Sequence, residues 1–207
     1  MWVTWKHEDS TLSWPLTFNQ KVELFYEQTL GWQLHIADLI ANGGTAFGEE
    51  GRRDGETVSA IRHSGFAVLQ VCLSYFETIG YYTGNPSGSK AAFRAGVERV
   101  FPQLAEADPK VADGFIKALY RDARCGLYHN VKTARVGLGW PPGTSPALFD
   151  SASGRVVLNP ERLPRALKAH LERLRQELLD ENNQDLRKRF EDRFDNDTGP
   201  PGSGDAG

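Results

Sequence analysis

The sequence predicts an all-α fold, a bundle of four or five long helices with a small β-hairpin inserted before the C-terminal helix. Apolar residues recur every three or four positions over most of the chain, which is the period of a helix with one buried face. Asparagine, glycine and proline interrupt this pattern where helices should begin or end. In one region, at about residues 133–158, this helical pattern is replaced by short apolar runs that are typical of β-strands.

The first two predicted helices are long. The first covers residues 19–41, with Asn19 as its N-cap, and ends at the Asn-Gly-Gly of residues 42–44. A polar loop leads to the second helix, over residues 57–82, which has a strong apolar stripe. Residues 1–18 contain three tryptophans without periodicity, and we interpret them as an irregular aromatic-rich arm.

Two further helices each have a start signal. Ser89 is the predicted cap of a short helix that ends near Val100, ahead of Phe101-Pro102. Asp108-Pro109 begins the next helix, because proline is favoured at the first helical position. The helical spacing of its apolar residues continues into the segment of residues 124–129.

The strand-like region follows these helices. Short apolar runs at residues 134–138, 147–150 and 155–158 have the character of β-strands. Residues 151–154 (Ser-Ala-Ser-Gly) separate the last two runs, as the loop of a hairpin does.

The last helix begins at Asn159-Pro160-Glu161, which combines an N-cap, a proline at the first position and an acid in the first turn. It is expected to extend to about Phe194. The single helical domain therefore covers residues 19–194. Residues 195–207 are rich in glycine and proline, and we expect them to form a disordered tail.

The composition is that of a globular domain. The net charge of −3 argues against a protein that coats duplex nucleic acid, because such proteins are basic overall. Cys72 and Cys125 both lie in apolar helical patterns, which predicts a reducing cytoplasm rather than a disulfide framework. No apolar run approaches the roughly 20 residues of a membrane span, and no signal-peptide pattern is visible. The histidines outside residues 124–129 lack ligand spacing, so we expect no metal and no cofactor.

The segment that carries chemistry is Arg124-Cys125-Gly126-Leu127-Tyr128-His129. A guanidinium binds phosphate oxygens through a planar fork, and an imidazole titrates near neutral pH. Together they can cleave RNA without a metal ion, with histidine moving protons and arginine stabilising charge on phosphorus. Five helical steps separate Arg124 from His129 by roughly 140°, so the helix must end or bend between them, and Gly126 permits this.

The same segment resembles the Arg-x4–6-His motif of HEPN (higher eukaryote and prokaryote nucleotide-binding) domains. These are helical bundles, usually homodimeric, and many are metal-independent endoribonucleases in toxin–antitoxin and anti-phage systems. The resemblance implies that Arg124 and His129 are catalytic and that two copies of the motif form one cleft at a dimer axis. It also implies that Glu77, on the second long helix, supports the arginine.

The flanking residues complete the predicted site. Asn130 is a supporting residue. Four further residues are candidates for binding RNA: Arg121, Tyr128, Lys132 and Arg135. The resemblance makes RNA, a second copy of the chain and an antitoxin or other partner protein the expected partners.

Other interpretations stay open. The residue after the arginine is commonly polar in active HEPN domains, and here it is Cys125. The chain is therefore either an endoribonuclease or a non-catalytic HEPN-like module that binds nucleotides or proteins. A third interpretation makes the motif purely structural, with His129 as a helix C-cap and Arg124 in an ion pair with Glu77.

Overall fold

The computed structural model describes residues 4, 6–8, 11–46, 56–106, 108–127, 135–141 and 143–198. This part of the chain is mostly helical, as the sequence predicts. The α-helices are α1 (Phe18–Thr29), α2 (His35–Asn42), α3 (Gly65–Thr83), α4 (Ser89–Val100), α5 (Pro109–Ala118), α6 (Leu163–Leu179) and α7 (Gln184–Asp197). The strands are β1 (Gly44–Thr45), β2 (Thr57–Val58), β3 (Val136–Leu138), β4 (Ala147–Asp150) and β5 (Arg155–Leu158).

Helix α3 lies at the centre of the fold and packs closely on α4. A Cβ atom added to Gly80 would lie 1.8 Å from the carbonyl oxygen of Ala92, and one added to Gly96 would lie 1.7 Å from that of Phe76. Only glycine permits this approach of the two backbones. The aromatic rings of Phe76 and Phe93 fill the contact, with their centroids 5.6 Å apart.

Helices α1, α2, α6 and α7 cover other sides of α3. Tyr75 of α3 is fully buried, and its hydroxyl lies 2.7 Å from Nδ1 of His170 on α6. Phe190 of α7 packs against Phe25 of α1 and Tyr82 of α3. The core is therefore a single apolar cluster that every one of these helices enters.

The first predicted helix has a different start and an irregular centre. Thr17, not Asn19, is the N-cap: its hydroxyl accepts a hydrogen bond from the Gln20 amide, and the side-chain oxygen of Gln20 accepts one from the Thr17 amide. A π-helical segment, Leu30–Leu34, separates α1 from α2. The predicted stop is confirmed: α2 ends at Asn42, and Gly43 follows with a φ of 69°.

Helix α3 begins later than predicted. Residues 57–64 are not helical, because Thr57 and Val58 pair with β1 as an antiparallel ladder. The amide of Ile61 then donates to the carbonyl of Ile40, and His63 has a φ of 62°. These contacts with the end of α2 replace the first turns of the predicted helix.

The strand-like region contains the predicted hairpin and one further pairing. Strands β4 and β5 form the antiparallel hairpin. Strand β3 pairs in parallel with β5 on the other side, which gives a three-stranded sheet with the order β3-β5-β4. The described chain therefore holds two small sheets beside its helices, rather than a hairpin alone.

The predicted C-terminal helix is two helices. Asn159 does accept hydrogen bonds from the amides of Glu161 and Arg162, as a cap does, and regular helix starts at Leu163. The helix then breaks after Leu179, where the carboxylate of Asp180 accepts a hydrogen bond from the Asn182 amide and competes with helical pairing.

Both ends of the domain differ in the structure from the predicted boundaries. The described part of the N-terminal arm is attached to α1, where Thr4 donates a hydrogen bond to Glu27. Helix α7 extends to Asp197, beyond the predicted boundary, and residues 199–207 of the predicted tail lie outside the described residues. No helix within the described ranges has the length and apolar character that a bilayer crossing requires.

Candidate active site

Arg124 lies near the end of a π-helical segment, Leu119–Cys125, that continues α5. Its Nη2 atom donates a hydrogen bond to Oε2 of Glu77 on α3, at a distance of 2.9 Å. The two side chains are 26% and 19% exposed, so solvent screens this ion pair only in part. The structure thus brings together the motif arginine and the acid that the sequence analysis associates with it.

The other oxygen of Glu77 is also bound. Ser89, at the start of α4, donates a hydrogen bond from its hydroxyl to Oε1 of Glu77 over 2.6 Å. The predicted role of Ser89 as N-cap is therefore wrong: Gly88 occupies that position, and Ser89 is the first helical residue. The contact of Ser89 depends on the close packing of α3 on α4, which fixes the start of α4 beside Glu77.

The π-helical segment places an aromatic ring near Arg124. Its guanidinium lies 5.9 Å from the ring centre of Tyr120, four residues earlier. Burial by itself lowers the pKa of Arg124, and the charge and hydrogen bond of Glu77 outweigh this and raise it. Gly126 keeps a helical conformation, with φ −61° and ψ −45°. The expected bend is therefore not at Gly126, and the irregularity precedes it.

A small cleft of about 60 Å³ opens beside the Arg124–Glu77 pair. Its walls are formed by Gln70, Leu73, Ser74, Glu77, Arg124 and Leu127. The volume is sufficient for a few water molecules or one small polar group. The surface of the cleft is mostly apolar, and a carboxylate, a guanidinium, an amide and a hydroxyl are found among its lining side chains.

The remaining predicted residues divide into two groups. Arg121 is exposed, and its Nε donates to the buried carboxylate of Asp122 over 2.8 Å, which compensates its charge. Arg135 directly precedes β3, a strand that packs against the π-helical segment carrying Arg124. Tyr128, His129, Asn130 and Lys132 lie outside the described residues.

Three polar residues in or beside the cleft were not predicted as part of the site: Gln70, Ser74 and Ser89. The first two lie at positions i and i+4 of α3, and Glu77 follows three positions later, so all three share one face. A polar stripe along an otherwise apolar helix was the available signal. Ser89 had no such signal, since its contact with Glu77 depends on how α3 and α4 pack.

Within the described ranges, no group of three or more His, Cys, Asp and Glu side chains is arranged to hold a metal ion. Comparisons of the chain with protein-family models, with curated proteins and with solved structures find no match.

Proposed function

We propose that this protein is a metal-independent endoribonuclease of the HEPN type, with Arg124 and His129 as its catalytic residues. One observation carries the proposal: Arg124 forms a 2.9 Å ion pair with Glu77 on the long central helix. The resemblance implies this pairing between motif arginine and helix acid, which lie 47 residues apart in sequence. The small cleft beside the pair has room for a reacting group next to the guanidinium.

In the proposed reaction, the 2′-hydroxyl of a ribose attacks the neighbouring phosphorus and the 5′-oxygen leaves. The products are a 2′,3′-cyclic phosphate and a 5′-hydroxyl. His129 takes or supplies the proton, and Arg124 stabilises the charge on the phosphoryl oxygens. Glu77 acts through Arg124 by holding its guanidinium in place. Leu127 lines the cleft, and His129 is only two residues further along the sequence.

The other predicted residues complete the proposal. Asn130 supports the histidine, and Arg121, Tyr128, Lys132 and Arg135 contact the RNA. A second copy of the chain supplies a second motif to the same cleft. The biological setting that we propose is a toxin–antitoxin or anti-phage system, with an antitoxin or another protein as partner.

The test is cleavage of a mixed RNA pool in excess EDTA. Wild type should yield fragments that end in 2′,3′-cyclic phosphate, and His129→Ala and Arg124→Gln should each reduce the rate by about 100-fold or more. Two controls are matched in chemistry. Arg94→Gln removes a surface arginine of α4, and His63→Asn replaces an exposed histidine whose φ of 62° asparagine also tolerates.

Both controls should cleave like wild type. Equal cleavage by wild type and His129→Ala, or none by wild type, would remove the catalytic proposal.

The second candidate is a non-catalytic HEPN-like module that binds nucleotides or proteins. The net charge of −3 and the cysteine that directly follows Arg124, where active HEPN domains commonly have a polar residue, favour it. This function predicts that wild type binds RNA or nucleotide without producing fragments. Arg124→Gln should then weaken binding, and Arg94→Gln should not.

A further inference from the structure

A larger cleft, of about 440 Å³, opens between the end of α4, helix α5, strand β4 and helix α6. It shares no lining residue with the cleft beside Arg124. Its volume lies in the range of roughly 300–1,000 Å³ that is typical of small-molecule sites. It therefore has room for an organic ligand.

One wall of this cleft is a row of three aromatic rings. Phe115 lies between the other two, with ring centroids 6.1 Å from Phe101 and 6.1 Å from Phe149. The interplanar angles of 80° and 73° are those of edge-to-face packing. Phe101 and Phe115 are buried in the core, and Phe149 is half-buried. The row offers a rigid apolar surface to the body of a ligand.

The opposite wall comes from one face of α6. Ala166, Ala169 and Arg173 follow at helical spacing and all line the cleft. The two alanines leave the volume empty, since a larger side chain at either position would project into it. Arg173 adds the one formal charge among the lining residues.

The next feature of the cleft is the charge of Arg173. Within the described ranges, no carboxylate lies within ion-pair distance of its guanidinium. Glu177 is one turn further along α6 and could have reached it, but Glu177 pairs with Arg99 of α4 instead. An exposed guanidinium thus stands beside a cleft with an aromatic wall, and no carboxylate of the described chain binds its donors.

We propose that this cleft binds a small amphipathic carboxylate, with an aromatic or aliphatic body against Phe101, Phe115 and Phe149 and its carboxylate on Arg173. A carboxylate matches the planar fork of one guanidinium and its single positive charge. A phosphate monoester carries close to two negative charges at neutral pH, and the cleft holds one cation to meet them. The proposal does not depend on ribonuclease activity.

The test is calorimetric titration of the whole chain with four probes: 3-phenylpropionate, octanoate, 3-phenylpropionamide and phenethyl phosphate. Both carboxylates should bind wild type, and the amide should bind about tenfold more weakly than the acid of the same shape. Arg173→Gln should abolish that difference. Ala169→Phe should prevent binding of every probe by filling the cleft.

The matched control is Arg165→Gln, which removes an exposed arginine from the same helix outside the cleft. It should bind 3-phenylpropionate like wild type, and thermal melting of each variant checks that it is folded. If Ala169→Phe does not fold, the comparison of Arg173→Gln with Arg165→Gln decides. The proposal is overturned if neither carboxylate binds wild type, if phenethyl phosphate binds more tightly, or if Arg173→Gln binds as tightly as wild type.

Discussion

Glu77 accepts a hydrogen bond on each of its carboxylate oxygens, one from Ser89 and one from Arg124. A carboxylate held at both oxygens has one orientation, so it presents a fixed partner to the guanidinium. In the proposed enzyme this makes Glu77 a positioning residue for Arg124, and it makes Ser89 a positioning residue for Glu77. A purely structural ion pair would have the same contacts, so rate and stability must be measured separately.

The first residue-scale prediction is a graded loss of rate. Glu77→Gln keeps the shape of the side chain but removes its charge, and should reduce kcat for RNA cleavage by about 10- to 100-fold. Ser89→Ala leaves the carboxylate on Arg124 and should reduce kcat by less than about tenfold. Each should lower the free energy of unfolding in urea by only about 1 kcal/mol.

The matched control is Ser87→Ala, which removes an exposed hydroxyl two residues before Ser89. It should leave both rate and stability unchanged. Full activity in Glu77→Gln would contradict the positioning role. Loss of stability without loss of kcat would show that the Arg124–Glu77 ion pair only stabilises the fold.

His170 is the buried histidine of the core, 5% exposed and in contact with Tyr75. Burial lowers its pKa to about 4, with further contributions from the positive charges of Arg99 and Arg173. The imidazole is therefore neutral at neutral pH, and its Nδ1 can accept the hydrogen bond of the Tyr75 hydroxyl. An unfolded chain has no such environment, and its histidine titrates near 6.5.

The second residue-scale prediction follows from this difference. As pH falls below 6.5, the histidine of the unfolded state takes up a proton before that of the folded state does. The contribution of neutral His170 to the free energy of unfolding is therefore fully present above pH 6.5 and is lost as pH falls towards 4. The loss assigned to His170 should reach about 3 kcal/mol. Urea unfolding should show this loss in wild type and a flatter profile in His170→Gln. His63→Asn, which removes an exposed histidine, should retain the wild-type slope, and a slope unchanged in His170→Gln would contradict the assignment.

At the scale of the element, the contact of α3 with α4 is the feature on which the candidate site depends. Gly96→Ala places a methyl group 1.7 Å from the Phe76 carbonyl, and a backbone atom cannot move aside as a flexible side chain does. We expect the helices to separate at a cost of about 1–3 kcal/mol in the free energy of unfolding. The separation should also lengthen the Ser89–Glu77 contact and reduce cleavage.

The control for this prediction is Gly137→Ala in β3, where an added Cβ atom meets nothing within 4 Å. Its free energy of unfolding should stay within about 0.5 kcal/mol of wild type. A wild-type melting temperature in Gly96→Ala would show that the two helices are not held at this distance.

Local signals predicted most elements of the fold, and contacts distant in sequence account for the rest. Asp108 caps α5 as expected, with Pro109 at its first position. The parallel pairing of β3 with β5 was not predicted, because it joins segments that are separated by β4. The two π-helical segments were not predicted, because a spacing of three or four residues indicates a helix without specifying which carbonyl each amide binds.

The candidate site was also predictable only in part, because some of its contacts join residues that are distant in sequence. Arg124 and Glu77 were selected by the resemblance, and the structure brings their side chains into contact. Ser89 and Gln70 were not selected. Nothing in the local sequence distinguishes Ser89 from an ordinary N-cap, and its bond to Glu77 arises from the packing of two helices.

At the scale of the whole molecule, one face of α3 stays uncovered by the rest of the described chain. Phe66, Ala67, Gln70 and Ser74 are exposed along it. Gln70 and Ser74 also line the cleft beside Arg124, so this face and the candidate site are one continuous surface. A second copy of the chain that packs on this face would border the cleft, as the proposed composite site requires.

The last prediction is that dimerisation and activity are lost together. Light scattering should give wild type twice the chain mass of 23.0 kDa. Ala67→Arg adds bulk and charge to the uncovered face at a residue that does not line the cleft, and it should give a folded monomer that has lost RNA cleavage. Ala152→Arg makes the same change in the β4–β5 turn and should remain an active dimer. An active wild-type monomer, or an Ala67→Arg variant that is still dimeric, would show that this face of α3 does not join two copies.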